Sequence, residues 1–307
     1  SMFTNVTAGD VFSCHDVKSI FMIPQMLYEQ GLVEVVFKKF AKVGYVNASE
    51  NWDTWNTIVN SLQITENPIK IAMVGKYVTL ADSYVSVNEA LKHATASINS
   101  SVSIDWIDSE TLNGNIKKLS EYQGILVPGG FGTRGSEGII ETASFALEQN
   151  IPFLGICFGF QLAAVSFGRS ICKLEEANST EISADTAHPI IALLPEQEGV
   201  SDMGGSLRLG ANEIKINPDT LASKLYNSNK ISRRHRHRYE FNIKFREQFK
   251  ENGMIFSGES DNGKRMEILE VPSHKFFLGV QFHPEFNSRP GFPEESFKSF
   301  VTAASQN

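Results

Sequence analysis

The sequence predicts an α/β protein: an open, mostly parallel twisted sheet with helices on both faces. Two observations predict it. From residue 69 onward, short apolar runs alternate with segments whose apolar residues recur at three- and four-residue spacing, the rhythm of β-α-β units. Glycine-rich stretches follow two of those runs, at the carboxyl strand ends where such sheets bind ligands.

Residues 17–32 have helical spacing through Ile20, Ile23 and Leu27, with Pro24 in the first turns and Gly31 as a stop. Residues 41–67 are polar and aromatic, with Trp52 and Trp55 close together; they read as a linker or a helix packed on the next domain. Residues 69–74 form a buried strand ended by Gly75. Tyr84, Val87, Leu91, Ala94 and Ile98 mark an amphipathic helix. Strands follow at 102–107, 124–127 and 151–156, with helices at 136–149 and 158–167. Beyond residue 187 the pattern suggests shorter strands, including 265–271 and 276–283, and a terminal helix at 294–304.

The 307 residues suffice for one large domain with an appendage. A net charge of -7 repels phosphate backbones and argues against nucleic acid as a partner. No apolar run approaches the roughly 18–20 residues of a membrane span. Ser1-Met2-Phe3-Thr4 shows no basic-then-apolar leader, and Ser1-Met2 reads as an appended start before an internal segment. Three cysteines make no disulfide framework, which points to a reducing, cytoplasmic setting.

Gly155-Ile156-Cys157-Phe158-Gly159 lies between an apolar strand and a helix and has the form of a nucleophile elbow. The nucleophile occupies a sharp turn, where side chains two residues away on either side would collide. The helix dipole favours the thiolate of Cys157, and the Phe158 N–H is placed to bind an oxyanion. The alternative is a buried structural cysteine. His283-Pro284-Glu285 ends the 276–282 run. Residues i and i+2 of an extended strand point the same way, so Glu285 can orient His283 toward Cys157. Cys14-His15-Asp16 holds the same residue types as immediate neighbours, which cannot face one another. Cys172 reads as packing.

Gly130, Gly132 and Gly135 match a dinucleotide signature, but no acidic residue ends the next strand. A loop presenting N–H groups to developing negative charge is the better reading. Arg233-Arg234-His235-Arg236-His237-Arg238-Tyr239 is a basic run in an acidic chain. Alternation puts Arg234, Arg236 and Arg238 on one face, where an arginine can clamp a carboxylate. A solvated edge strand, a metal site and a nucleic-acid patch are rival readings.

Taken together, Pro128-Gly-Gly-Phe-Gly-Thr-Arg-Gly135, Gly155-Ile-Cys-Phe-Gly-Phe-Gln161, Asn178-Ser-Thr-Glu181, Arg234-His-Arg-His-Arg-Tyr-Glu240 and Gln281-Phe-His-Pro-Glu-Phe286 resemble the class I, or triad, glutamine amidotransferases. Among these, the third and fourth motifs, Asn178–Glu181 and Arg234–Glu240, resemble the glutaminase domains of the CTP synthase family far more specifically, while the other three are shared broadly by the amidotransferases. The resemblance covers about residues 66 to 303, and residues 16–32 are similar to the end of that family's synthetase domain.

It implies a flavodoxin-like core and three regions: 1–40 as the tail of a preceding synthetase domain, 41–66 as a linker, and 67–307 as the glutaminase domain. It implies Cys157 as nucleophile, His283 as general base and acid, and Glu285 as its orienter. Gly130 and Phe158 would supply the oxyanion-hole amides. Glu181 would bind the ammonium of L-glutamine and Arg238 its carboxylate, with Phe158, Gly159, Phe160 and Gln161 lining the pocket. No cofactor is expected in this chain. Mg and ATP are expected in the synthetase domain, which is absent here. That domain is the expected partner, in a homotetramer activated by GTP. The segment between residues 194 and 204 is short, as in eukaryotic-type members. Two further readings remain: a hydrolase of γ-glutamyl chains on the same fold, and a non-enzymatic assembly domain.

Overall fold

The computed structural model describes residues 3, 5–40, 49–64, 66–78, 80–112, 114–193 and 207–307. The chain forms two compact units, Ser1–Glu66 and Asn67–Asn307. The short segment expected at 194–204 lies outside the described residues.

The first unit holds helices α1 (Ile23–Glu29), α2 (Leu32–Lys39) and α3 (Ser49–Ser61). Gly31 separates α1 from α2 at φ 82°, a left-handed conformation open to glycine. Residues 41–48 and 65 of the expected linker are undescribed, but α3 occupies most of the remainder. Trp52 and Trp55 are three residues apart and share one face of α3. Trp55 Nε1 donates to the Phe21 carbonyl at 2.9 Å, and the Trp52 ring lies 5.0 Å from Tyr28. Segment 49–61 is thus a packed part of the first unit and not a free connection.

The second unit runs β1 (Ile69–Gly75), α4 (Val85–Ala96), β2 (Val102–Asp108), β3 (Gly124–Val127), α5 (Ser136–Gln149), β4 (Phe153–Ile156), α6 (Phe158–Ser170), β5 (Asn178–Ser179), β6 (Pro189–Ala192), β7 (Arg208–Ile216), α7 (Leu221–Tyr226), β8 (Lys230–His237), β9 (Glu240–Phe241), α8 (Arg246–Glu251), β10 (Ile255–Ser260), β11 (Arg265–Glu270), β12 (Phe277–Val280) and α9 (Glu295–Ala304). Among the described residues, nine strands form one sheet in the order β2-β1-β3-β4-β12-β11-β10-β7-β8, and β5-β6-β9 form a second. The first five are parallel, and β11, β10, β7 and β8 extend them in antiparallel pairs.

Every residue of β3, β4 and β12 is buried. Those runs are uniformly apolar because helices cover both faces of a parallel sheet. Ile139 and Ala143 of α5 pack with α6 in one core cluster; Leu91 of α4 and Phe297 and Phe300 of α9 pack in the other. The strand expected at 276–283 stops at Val280. Pro284 lacks an N–H to continue a ladder, and residues Pro284–Asn287 form a 3-10 turn.

Candidate active site

Sheet topology brings the reactive residues together. β4 and β12 are parallel neighbours with Ile156 opposite Val280, so the residues just past each strand emerge from the same edge. Cys157 comes one residue after β4 and His283 three residues after β12.

Cys157 sits at φ 52°, ψ -97°, at the amino end of α6. A non-glycine residue in that region is strained and persists only where packing enforces it. The glycines on either side show how. A Cβ on Gly155 would lie 2.8 Å from the Gly159 carbonyl, and one on Gly159 would lie 2.3 Å from the Val127 carbonyl oxygen. The turn can pass this close to β3 only without side chains there.

His283 is anchored by its backbone N–H, which donates to the Arg234 carbonyl at 2.8 Å. Its Nδ1 lies 2.7 Å from Glu285 Oε1. The contact expected from the sequence therefore forms, but for another reason. Glu285 belongs to the 3-10 turn, and that turn folds its carboxylate back onto the ring. Burial alone would lower the pKa of His283. The Cys157 sulfur, hydrogen-bonded to the ring, and Glu285 together outweigh it and raise the pKa to about 11. The ring is held as an imidazolium beside the sulfur. Cys172, by contrast, has its thiol pushed up to about 11 by burial, the opposite of an activated nucleophile.

The loop after β3 closes over this pair. A Cβ on Gly129 would come within 2.9 Å of His283 Cε1, so only glycine lets the loop approach the ring. Phe158 is the first residue of α6, and its N–H belongs to the first helical turn, where backbone donors have no partner within the helix. Gly130, Phe131, Cys157, Arg236, His283 and Phe286 line a cavity of about 500 Å³.

The expected glutamine-contacting residues divide. Glu181 reaches the glycine loop, where its Oε1 accepts from Gly132 N at 2.7 Å. The Phe160 ring is fully buried in the core. The Gln161 side chain donates to the Tyr239 carbonyl at 2.9 Å and to Gln281 Oε1 at 3.2 Å. Side chains of Phe160 and Gln161 are thus used for packing and bracing, not for lining the cavity. The face expected to hold three arginines holds two: Arg234 and Arg236 are exposed on β8 while His235 and His237 are buried. Arg238 lies past the end of β8 because the strand stops at His237, and Arg236 is among the residues that line the cavity.

One residue escaped the sequence reading. Lys76 follows β1 directly, and its ammonium donates to the carbonyls of Phe131 (3.0 Å) and Gly132. The available signal was its position, a charged residue at the carboxyl end of a parallel strand.

Residues 79–303 match the family model described as glutamine amidotransferase class-I. The chain is 47% identical to the CTP synthase of Staphylococcus epidermidis and 45% identical to that of Archaeoglobus fulgidus. Each match covers 99% of this chain but 57% and 56% of those proteins, so the chain spans a little over half the length of these curated relatives. Among solved structures it is similar to the glutaminase domain of Trypanosoma brucei CTPS with bound acivicin. That match has 35% identity and a TM-score of 0.74, and covers 78% of this chain and 94% of the other.

Proposed function

This chain belongs to the class I glutamine amidotransferase family, and from that premise we propose that it hydrolyses the side-chain amide of L-glutamine as the glutaminase part of a CTP synthase. The observation that carries the reading is the strained Cys157 turn next to the His283–Glu285 pair, just beyond the ends of two adjacent parallel strands.

The chemistry follows from the geometry. The Cys157 sulfur attacks the amide carbon, forming a C–S bond and moving the carbonyl electron pair onto oxygen. The amides of Gly130 and Phe158 receive that oxyanion. The oxyanion collapses, the C–N bond breaks, and the His283 imidazolium gives its proton to the departing nitrogen, which leaves as ammonia. The ring, now neutral, takes a proton from water as that water attacks the thioester. Breaking the C–S bond releases glutamate and returns thiolate and imidazolium. Glu285 holds Nδ1 throughout, so the other ring nitrogen faces the reacting atoms. Glu181 is assigned to the substrate ammonium and Arg238 to its carboxylate. The closeness of Glu181 to the oxyanion loop supports the first assignment.

Ammonia would pass to a synthetase domain that binds ATP and magnesium and converts UTP to CTP, in a cytoplasmic homotetramer activated by GTP. The relatives' names and the share of their length covered by this chain support that wider reading. Among the described residues, no helix is long and apolar enough to cross a membrane.

Two measurements test the proposal: ammonia release from glutamine, with and without an added synthetase domain, and labelling of Cys157 by a diazo-ketone glutamine analogue. Both are expected, and Cys157→Ala should abolish both. Ammonia release that survives Cys157→Ala would overturn the assignment.

A further inference from the structure

The Lys76 side chain lies against the loop whose Gly130 amide is assigned to the oxyanion. Lys76 is 4% exposed, and burying an ammonium is costly unless its donors are used. Here they are: the Phe131 and Gly132 carbonyls both accept from Nζ. The same Nζ sits 4.0 Å over the Phe158 ring, an attraction between the cation and the ring face. A Cβ on Gly130 would touch that ring at 3.5 Å and Lys76 Cδ at 3.8 Å, so lysine stem, ring and Gly130 pack on one another. Both residues assigned to the oxyanion, 130 and 158, therefore meet at Lys76.

The loop is also held from the opposite sign of charge. Gly132 donates its N–H to Glu181 Oε1 while its carbonyl accepts from Lys76. Gly132 thus bridges a cation and an anion through its two backbone groups. We propose that Lys76, as an ammonium, is a positioning residue that clamps the 130–132 loop against the start of α6 and so sets the oxyanion hole. The proposal rests on the glutaminase reading. It adds a coupling: when the substrate ammonium engages Glu181, that carboxylate is shared with Gly132, and Lys76 becomes the loop's remaining charged tether.

Burial pushes the pKa of Lys76 down to about 8, against the upward pull of Glu181 and Glu110 and with the downward push of Arg134. Tyr84, whose hydroxyl also contacts this segment, is raised by burial and stays neutral in the same range. The ammonium is therefore present below about pH 8 and lost above it. Loss of charge weakens the hold on both carbonyls.

The test uses the full chain with Lys76→Met and Lys76→Arg. Three quantities are read across the alkaline range: kcat and KM for glutamine, and the rate of Cys157 alkylation by iodoacetamide, which forms no oxyanion. In the unaltered protein, kcat should decline above about pH 8. Lys76→Met should lower kcat on the order of 10²-fold, the scale of losing one oxyanion donor. It should leave KM nearly unchanged, abolish the alkaline decline and leave alkylation unaltered. Lys76→Arg, which keeps its charge, should restore much of kcat and move the decline to higher pH. The proposal is overturned if the unaltered protein shows no decline near pH 8, if the decline persists in Lys76→Met, or if Met and Arg are equivalent. A parallel loss of alkylation would also overturn it, since that marks general disruption of the site. Absence of ammonia release from the unaltered protein would instead sink the glutaminase reading.

Discussion

Between β2 and β12 the interior of the large sheet is apolar, and the reactive groups sit just beyond the strand ends. Between β11 and β8, with neighbouring β9, charged side chains lie inside the packed layer. Arg208 of β7 pairs with buried Glu267 of β11, and Arg265 pairs with buried Glu240 of β9. His235 and His237 of β8 hydrogen-bond to one another at 3.1 Å, with His235 Nδ1 3.7 Å from Glu267. The difference separates two uses of polarity. Rigid apolar packing on both faces of β3 and β4 holds a strained backbone at Cys157. The charged half supplies a brace: the carbonyl of Arg234 takes the His283 N–H, and that of Arg236 lies 3.8 Å from Cys157 Sγ.

The contrast can be broken from the charged side first. Arg208→Met leaves Glu267 and Glu240 buried without one of their cations, and should cost about 3–5 kcal/mol of unfolding free energy, read by denaturant titration. An unchanged midpoint would mean that these charges find water or each other. On the catalytic side, Glu285→Gln removes the charge that fixes the His283 tautomer. It should lower kcat for glutamine on the order of 10²-fold, the low end of general acid–base contributions, with little change in thermal midpoint. Gly159→Ala drives a Cβ into the Val127 carbonyl and should cost about 1–3 kcal/mol, as overpacking does. Circular dichroism melting would show it.

Acid stability sharpens the comparison most finely. Burial holds the pKa of His237 at about 4 and that of His235 at about 2, with Arg208 among the further causes. Both values lie below the ordinary 6.5, so on acidification the unfolded chain takes up these protons first. Stability should fall as pH drops below about 6.5, by about 1.4 kcal/mol per pH unit for each histidine. Glu240, raised by burial to about 6, opposes one of them between about pH 6 and 4.5, because its folded form binds a proton before the unfolded form does. The net loss from these three groups between pH 7 and 5.5 should be about 2 kcal/mol. Replacing His235 and His237 with glutamine should flatten that slope; a slope unchanged in the double variant would place the acid sensitivity elsewhere.

Much of the parallel half was legible in the sequence. Helix 136–149 and strand 124–127 fall where periodicity puts them, because a strand covered on both faces must be uniformly apolar and its crossover helix must be amphipathic. The antiparallel extension was legible only as short strands. Along β7 and β8 exposed residues alternate with more buried ones, charged residues among them, and an unpaired sequence gives no partner for a buried arginine. Trp52 and Trp55 carried the helical spacing of α3, but not the Tyr28 and Phe21 surfaces they cover.

Local sequence by itself determined the kind of chemistry: a cysteine flanked at two residues' distance by glycines, a histidine before a proline, and an acidic residue after it. Those features are set by neighbouring atoms along the chain, where steric limits on a turn act directly. Tertiary structure alone decided that β4 and β12 lie side by side, that a 3-10 turn and not an extended strand carries Glu285 back to His283, that Arg238 leaves the strand face to Arg236, and that Lys76 reaches the glycine loop. Each of those depends on which strands share hydrogen bonds and how much surface they bury together, and such long-range pairing free energies are written nowhere in a single stretch of residues.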